Sequence, residues 1–463
     1  MMYLKAIFGI IAAFATYYIL SGVQNVLNPE EVLPPTLPED VWWGARSRES
    51  IKDDKIRPFT ISASNHVLEH LKNRLKITKF PVAPFEDANF QYGFNINYLK
   101  NVTSYWLNNY DWDSRLKFLN SFPHFKTYVS GLDIHFIHVK PDISARTSLK
   151  IVPILLLHGW PGSVREFYEL IPLLTTPREN QDFVFEAIVP SLPGYGFSEG
   201  AAYPGMSTTQ MGIIFKKLME KLGHKKFYIH GGDWGSFIGN DMSILYPVNV
   251  LGFHSTLCGS SNKLNNLIRF LGSYWPRLVV DEEHEHRMYP ISNTVRWLYL
   301  ETGYMHEQAT KPDTIGTALM DTPVGLAAYI LEKFSTWTNP AFKDLPDGGL
   351  TKKFTLNALL DNVMIYWITE SILTSVRLYS ENLSLAHMAV GLDLAFVKVP
   401  TICAQFPYEV GPYYTPEMLQ RKYTKLVKIS EFNDGGHFAA FELPNIVSED
   451  LWTSIPLFVA ANT

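Results

Sequence analysis

The chain has 463 residues, 46% of them hydrophobic and 18% charged, with 29 Gly and 29 Pro. That composition excludes intrinsic disorder and provides for a large core, and the length fits one catalytic unit carrying an insertion. A formal net charge of −5 without any long Lys/Arg run excludes the concentrated basic face that nucleic acid requires, and points to a neutral substrate.

Two cysteines, Cys258 and Cys403, are too few and too isolated for a disulfide framework or a zinc site, so both are expected as reduced core thiols. Residues 3 to 23 hold one charge, Lys5, and carry tyrosines at both ends where an interfacial belt would sit; they are expected to form a membrane helix of minimum length. A cleaved signal peptide is the alternative, but the apolar stretch outruns a usual h-region and no clean small-x-small site follows it. Lys5 precedes the helix while Glu30, Glu31, Glu39 and Asp40 follow it, so charge bias alone would put the body of the protein in the lumen.

Pro34, Pro35 and Pro38 mark a stiff linker, and residues 41 to about 125 are aromatic-rich without a strong period, as in a segment that wraps a core. Residues 128 to 141 alternate as a hairpin, and KIVPILLLHGW (150 to 160) has the continuous apolar run of a strand buried on both faces. FVFEAIVPSLPGYG (183 to 196) repeats that pattern. Residues 207 to 223 form an amphipathic helix closed by Gly223, and residues 225 to 236 a strand running into a glycine turn. Strand and helix in alternation predict a parallel doubly wound sheet. The rhythm stops between about 260 and 394, a helical and aromatic lid, and resumes with strands in 396 to 407 and 425 to 437. The expected organisation is a membrane segment (1–24), a linker and wrapping segment (25–125), a core in two parts (126–259 and 395–463) and an inserted lid (260–394).

In Gly231-Gly232-Asp233-Trp234-Gly235 small residues flank the central one on each side, after a strand and before a helix. This is the spacing of a nucleophile elbow, with a carboxylate where a serine is usual. An aspartate that attacks carbon forms an ester, which a second step must hydrolyse. The plainer alternative is a turn aspartate capping the next helix. The loop HGWPGS (158 to 163) stands where this architecture places the second donor of an oxyanion hole, so the backbone N–H groups of Trp160 and Trp234 are the candidate pair. Downstream, Glu409 follows a strand and His437 follows a strand and glycine turn. The order Asp233, Glu409, His437 matches nucleophile, acid and base in the α/β-hydrolase fold. His284 and His286 lie in a charged stretch without further spaced ligands and are read as solvated.

At these residues the chain resembles the microsomal epoxide hydrolase family, and within it the insect juvenile hormone epoxide hydrolases. The resemblance extends to WWG (42 to 44), ETGYMHEQATKPDTIGTAL (301 to 319), DTPVGLAAYILEKFSTWTN (321 to 339), FPYE (406 to 409) and GGHFAAFE (435 to 442). It covers nearly the whole chain after the linker; around VGPYY, between Glu409 and His437, the chain carries one residue more than the family pattern. The resemblance implies that Tyr304 and Tyr379, matched through GYMH and RLYSEN, hold the epoxide oxygen; a phenolic O–H can stabilise or protonate the alkoxide formed on ring opening. It also implies a lipophilic epoxide substrate such as the terpenoid juvenile hormone, with xenobiotic epoxides as the wider class, water as second reactant, and no cofactor or metal. Membrane lipid is the expected partner of the first helix, in the endoplasmic reticulum with the body facing the cytosol. Asn101-Val-Thr and Asn382-Leu-Ser fit the glycosylation pattern, which operates only on a lumenal face. Haloalkane dehalogenation and silent binding of a hydrophobic ligand are the rival functions.

Overall fold

The computed structural model describes residues 32–51, 53–80 and 84–463; the expected membrane helix at 3 to 23 lies outside the described residues. Among the described residues no single helix is long and apolar enough to cross a membrane.

The strands are β1 (Arg57–Phe59), β2 (His124–Val129), β3 (Leu132–Val139), β4 (Lys150–Leu157), β5 (Phe183–Pro190), β6 (Phe227–Gly231), β7 (Val250–Ser255), β8 (Thr401–Gln405) and β9 (Leu426–Glu431). They form one sheet in the order β1-β2-β3-β5-β4-β6-β7-β8-β9. The pairs from β1 to β5 along this order are antiparallel, and those from β5 through β4 to β9 are parallel. β4 shows why the apolar runs are continuous. Leu155 and Leu157 join the core on one face, and Ile154 and Leu156 the core on the other, so both sides of the strand must be apolar.

Helices cover both faces. Before β2 come α1 (Asn65–Lys76), α2 (Ile96–Asn108) and α3 (Trp112–Leu119), followed after β4 by α4 (Leu170–Thr175), α5 (Thr208–Lys221) and α6 (Trp234–Leu245). α5 and α6 pack on one face through Met211, Phe215, Ile238 and Met242. α4 and the C-terminal α18 (Pro444–Asn462) pack on the other through Leu170, Leu174, Leu451 and Trp452. Between β7 and β8 every named helix belongs to the insertion: α7 (Lys263–Gly272), α8 (Glu285–Met288), α9 (Ile291–Glu301), α10 (Gly303–Thr310), α11 (Pro312–Asp321), α12 (Pro323–Thr336), α13 (Leu356–Thr369), α14 (Ile372–Asn382) and α15 (Leu385–Met388); α16 (Pro416–Gln420) and α17 (Ala439–Glu442) follow later. α12 and α13 are largely buried, whereas α7 turns Asn265 inward and leaves Leu267, Phe270 and Leu271 exposed.

Three expectations are corrected. The hairpin begins at His124, not 128, because Ser130 and Gly131 supply the two positive φ angles (49° and 87°) of a two-residue turn, and most of the stretch from 128 is its second strand. The wrapping segment contributes an edge strand, β1, too short to show a period in sequence. The cysteines are not reduced thiols: Cys258 and Cys403 form a disulfide, with Cα atoms 5.7 Å apart. They stand 145 residues apart in sequence, yet the insertion begins and ends beside adjacent parallel strands, with Ser255 of β7 opposite Cys403 of β8.

Cys403→Ser is expected to lower stability by about 2–4 kcal/mol, because the bond closes a long loop across the insertion. A urea midpoint unmoved by both this variant and dithiothreitol would show that the bond contributes nothing.

Candidate active site

Asp233 sits between β6 and α6 with φ 47° and ψ −128°, a region that non-glycine residues occupy at a cost of about 1–3 kcal/mol. The turn is held by close packing: a Cβ at Gly235 would collide with the carbonyl oxygen of Leu157, and one at Gly159 with the carboxylate of Asp233 itself. The side chain does not cap α6. It points instead to the HGWPGS loop, where the Trp160 N–H donates to Oδ1 at 2.7 Å. Trp234 opens α6, so its N–H lies at a helix N-terminus beside the nucleophile; among the described residues no hydrogen bond joins it to Asp233 in this resting arrangement.

That loop is braced by α13. The Asn362 amide donates to the Pro161 carbonyl at 2.8 Å, Ser163 Oγ donates to Asn362 Oδ1 at 2.7 Å, and the Tyr366 hydroxyl donates to the Gly162 carbonyl at 2.7 Å. Next to Asn362, the wholly buried Asp361 accepts from Arg115 of α3, from Arg165 and from Tyr110. The insertion is thus locked to the core through a satisfied polar cluster, where leaving any one member unpaired would be costly.

His437 Nδ1–H donates to Glu409 Oε1 at 2.6 Å, and its Nε2 lies 3.2 Å from Asp233 Oδ2. The Val410 N–H donates to the same Glu409 oxygen at 2.7 Å, and the Trp337 ring meets His437 edge-on at 4.8 Å. Burial opposes a charge on the ring, but Glu409 and Asp233 outweigh it and hold the imidazolium well above the usual histidine range.

Tyr304 of α10 and Tyr379 of α14 close the other side. The Tyr304 ring stacks on Trp160 at 5.4 Å, and Tyr379 meets Trp234 at 4.8 Å and Trp160 at 5.8 Å. The two rings meet edge-on at 5.9 Å, which brings their hydroxyls to the same side of the site. Burial first, with the negative charge of Asp233 adding to it, raises both phenols above the ordinary tyrosine range, so both keep their protons. Asp233, His437, Tyr304, Tyr379 and the Trp160 N–H are therefore brought together around Trp160, with Glu409 behind His437.

Two further carboxyls were missed in the sequence. Glu442 accepts the N–H of Gly436 at 2.8 Å and that of Phe438 at 2.9 Å, clasping the backbone on both sides of His437. An acid five residues after the histidine, within GGHFAAFE, is the signal available for it. Glu166 lies part-buried near Asp233 and His437, and loss of water around it pushes its carboxyl up to about 8, which leaves it neutral near pH 7. No periodicity marks such a residue.

Glu442→Ala removes both acceptors and is expected to destabilise the chain by about 1–3 kcal/mol. Urea unfolding checks this; an unchanged midpoint would mean that water replaces the clasp.

Residues 56–167 match the family model "Epoxide hydrolase N terminus" and residues 152–384 the "alpha/beta hydrolase fold" model. The chain is 48% identical over 429 residues to juvenile hormone epoxide hydrolase 1 of Ctenocephalides felis, covering 93% of this chain and 91% of that protein. It is 46% identical over 459 residues to epoxide hydrolase 1 of Sus scrofa, covering 97% and 98%. The crystal structure of juvenile hormone epoxide hydrolase from Bombyx mori superposes with a TM-score of 0.89 at 46% identity, over 92% of this chain and all (100%) of that one. With an aspartate on the elbow, its histidine and acid in line, and kinship of this depth along almost its whole length, the chain belongs to the epoxide hydrolase family of α/β-hydrolases.

Proposed function

We propose that the enzyme opens its epoxide in two steps, with Asp233 as covalent nucleophile and His437 as a base that becomes available only after the first step. One observation carries this reading: the Asp233 carboxylate lies between the Trp160 N–H and His437 Nε2, with Tyr304 and Tyr379 packed against each other and against Trp160 beside it. In the first step an Asp233 oxygen attacks an epoxide carbon, the C–O bond breaks, and the ring oxygen leaves with the electron pair. Tyr304 and Tyr379 hold that oxygen and pass it a proton. The ester that forms has no negative charge. His437 then loses one of the two carboxylates that kept it protonated, so its proton replaces the one the tyrosines gave up.

The neutral imidazole, oriented by Glu409, takes a proton from water as the water attacks the ester carbonyl. The Trp160 N–H, with that of Trp234 as its partner, stabilises the oxyanion. Collapse releases the diol and restores both the Asp233 carboxylate and the His437 imidazolium. A departing halide would not need a proton, so the tyrosine pair favours oxygen as the leaving atom over haloalkane chemistry. Pure ligand binding would not need the ordered acid and base.

The substrate we propose is a lipophilic epoxide of the terpenoid juvenile hormone class. The names of the flea and silkworm relatives support it, as do the aromatic walls formed by Trp160, Trp234, Trp337 and Tyr329. We also propose attachment to the endoplasmic reticulum membrane through residues 3 to 23. Exposed Phe270, Tyr274, Trp275 and Leu278, with Leu298 and Tyr299 on α9, support contact with lipid, since large exposed apolar patches mark interaction surfaces and Trp and Tyr favour the headgroup level. A body facing the cytosol rests on the family resemblance; the charge bias around the helix and the Cys258–Cys403 bond weigh toward the lumen.

Under single turnover in ¹⁸O-water, excess enzyme is expected to release unlabelled diol and to carry the label in the peptide containing Asp233. His437→Gln should stall as an adduct heavier by the mass of the epoxide. Fully labelled diol in the first turnover, with no adduct, would demote Asp233 to a general base. Tyr304→Phe and Tyr379→Phe should each slow ring opening by up to roughly 10² to 10³, the double variant more, while hydrolysis of a preformed ester stays nearly unchanged. Normal alkylation in the double variant would remove both tyrosines from the mechanism. Carbonate-washed membranes should retain the protein. Asn101, exposed on α2, should carry no glycan, whereas Asn382 is already engaged with Thr208; glycan at Asn101 would place the body in the lumen.

A further inference from the structure

His138, Glu186 and His224 converge at the edge of the sheet opposite the elbow, and the mechanism uses none of them. The convergence follows from three separate elements. His138 of β3 pairs with Ile188 of β5, which places Glu186, two residues away, diagonally on the same face of the sheet. His224 follows Gly223 in the helix stop after α5: the Gly223 N–H donates to the Glu220 carbonyl and the His224 N–H to the Met219 carbonyl, with Gly223 at φ 92°. This is the Schellman arrangement, so the His224 backbone is set by its helix rather than by a loose loop.

Both imidazoles turn the same nitrogen toward one carboxylate oxygen. His138 Nε2 lies 2.6 Å from Glu186 Oε1, and His224 Nε2 lies 3.4 Å from that same oxygen without a hydrogen bond of its own. The ligand atoms of the three residues all lie within 4.8 Å of one another. The side chains are 9%, 8% and 17% exposed for His138, Glu186 and His224, so the group is desolvated on the protein side yet close enough to the surface for ion and water to enter. Nothing about a hydrogen-bonding role requires the second histidine, since the first already satisfies the oxygen.

We propose that His138, Glu186 and His224 form a divalent-cation site suited to Zn²⁺, with water completing the coordination. Two imidazole nitrogens and a carboxylate oxygen are the donor set that Zn²⁺ accepts, at about 2.0–2.2 Å per bond, which sets tetrahedral donors roughly 3.4 Å apart. His224 Nε2 already stands 3.4 Å from Glu186 Oε1, and the His138–Glu186 hydrogen bond of 2.6 Å opens as the ion enters between the two. Calcium and magnesium, which select oxygen, are excluded by the two nitrogens. The ion ties β3 and β5 to the connection that leads into β6, the strand whose far end carries Asp233. Its role is to brace the sheet; it takes no part in epoxide opening.

The test uses the full-length enzyme in detergent, stripped with chelator and titrated with Co²⁺ and then Zn²⁺ alone. One equivalent of Co²⁺ should produce a ligand-field absorption band, which one equivalent of Zn²⁺ abolishes. His224→Gln and Glu186→Gln should weaken binding by roughly 10-fold or more, since even indirect partners of a metal site cost that much. Both variants should still hydrolyse epoxide, which also certifies that they fold. His437→Gln should bind the ion unchanged, which separates this site from the catalytic histidine. No saturable binding to the unsubstituted protein would overturn the proposal, whether or not the variants fold, and so would binding that is lost with His437 or indifferent to His224.

Discussion

A carboxylate must be held in a left-handed backbone turn at Asp233, and much of the surrounding architecture accommodates that one conformation. β6 has to end against β4 closely enough for Gly235 to touch the Leu157 carbonyl, and the HGWPGS loop has to pass so near the nucleophile that position 159 admits no side chain. The strain is local, of order 1–3 kcal/mol, and is carried by a sheet whose central strands are buried on both faces. The result is an Asp233 side chain whose position is set by the backbone. Its rotational freedom is taken up by the Trp160 N–H on one oxygen and His437 on the other.

The same closeness produces the electrostatics. Two carboxylates, Glu409 and Asp233, flank one buried imidazole, and together they outweigh the cost of burying its charge. In the two-step reaction proposed above, esterification of Asp233 would cancel one of them and turn the histidine from an acid partner into a base when water is needed. Glu166, neutral near pH 7 through burial, avoids adding a third charge to this balance. Glu442 sets the geometry by holding the peptide groups on either side of His437.

The insertion does two different jobs. α13 and α14 turn inward, the first bracing the HGWPGS loop and the second supplying Tyr379, which meets Trp234 across the site. α7 and α9 turn apolar side chains outward.

The alternation of buried runs with helices made the doubly wound sheet legible, because a strand covered on both faces reads as a nearly continuous apolar run, as β4 does after Lys150 and β5 does apart from Glu186. The elbow glycines, the turns that carry Glu409 and His437, and the HGWPGS loop beside Asp233 were legible too: each is a local constraint written within a few consecutive residues. Tyr304 and Tyr379 were not, since nothing local separates them from the other tyrosines; only resemblance singled them out. What tertiary structure alone decided are the meetings of residues distant in the chain. The disulfide joins positions separated by the whole insertion. The clasp of Glu442 on the His437 loop, the buried Asp361 cluster and the His138–Glu186–His224 group depend on which strands and helices become neighbours. Short-range chemistry is encoded in spacing. Long-range chemistry is encoded in topology, and a side chain whose role depends on a partner more than a hundred residues away carries no mark of that role in its own neighbourhood.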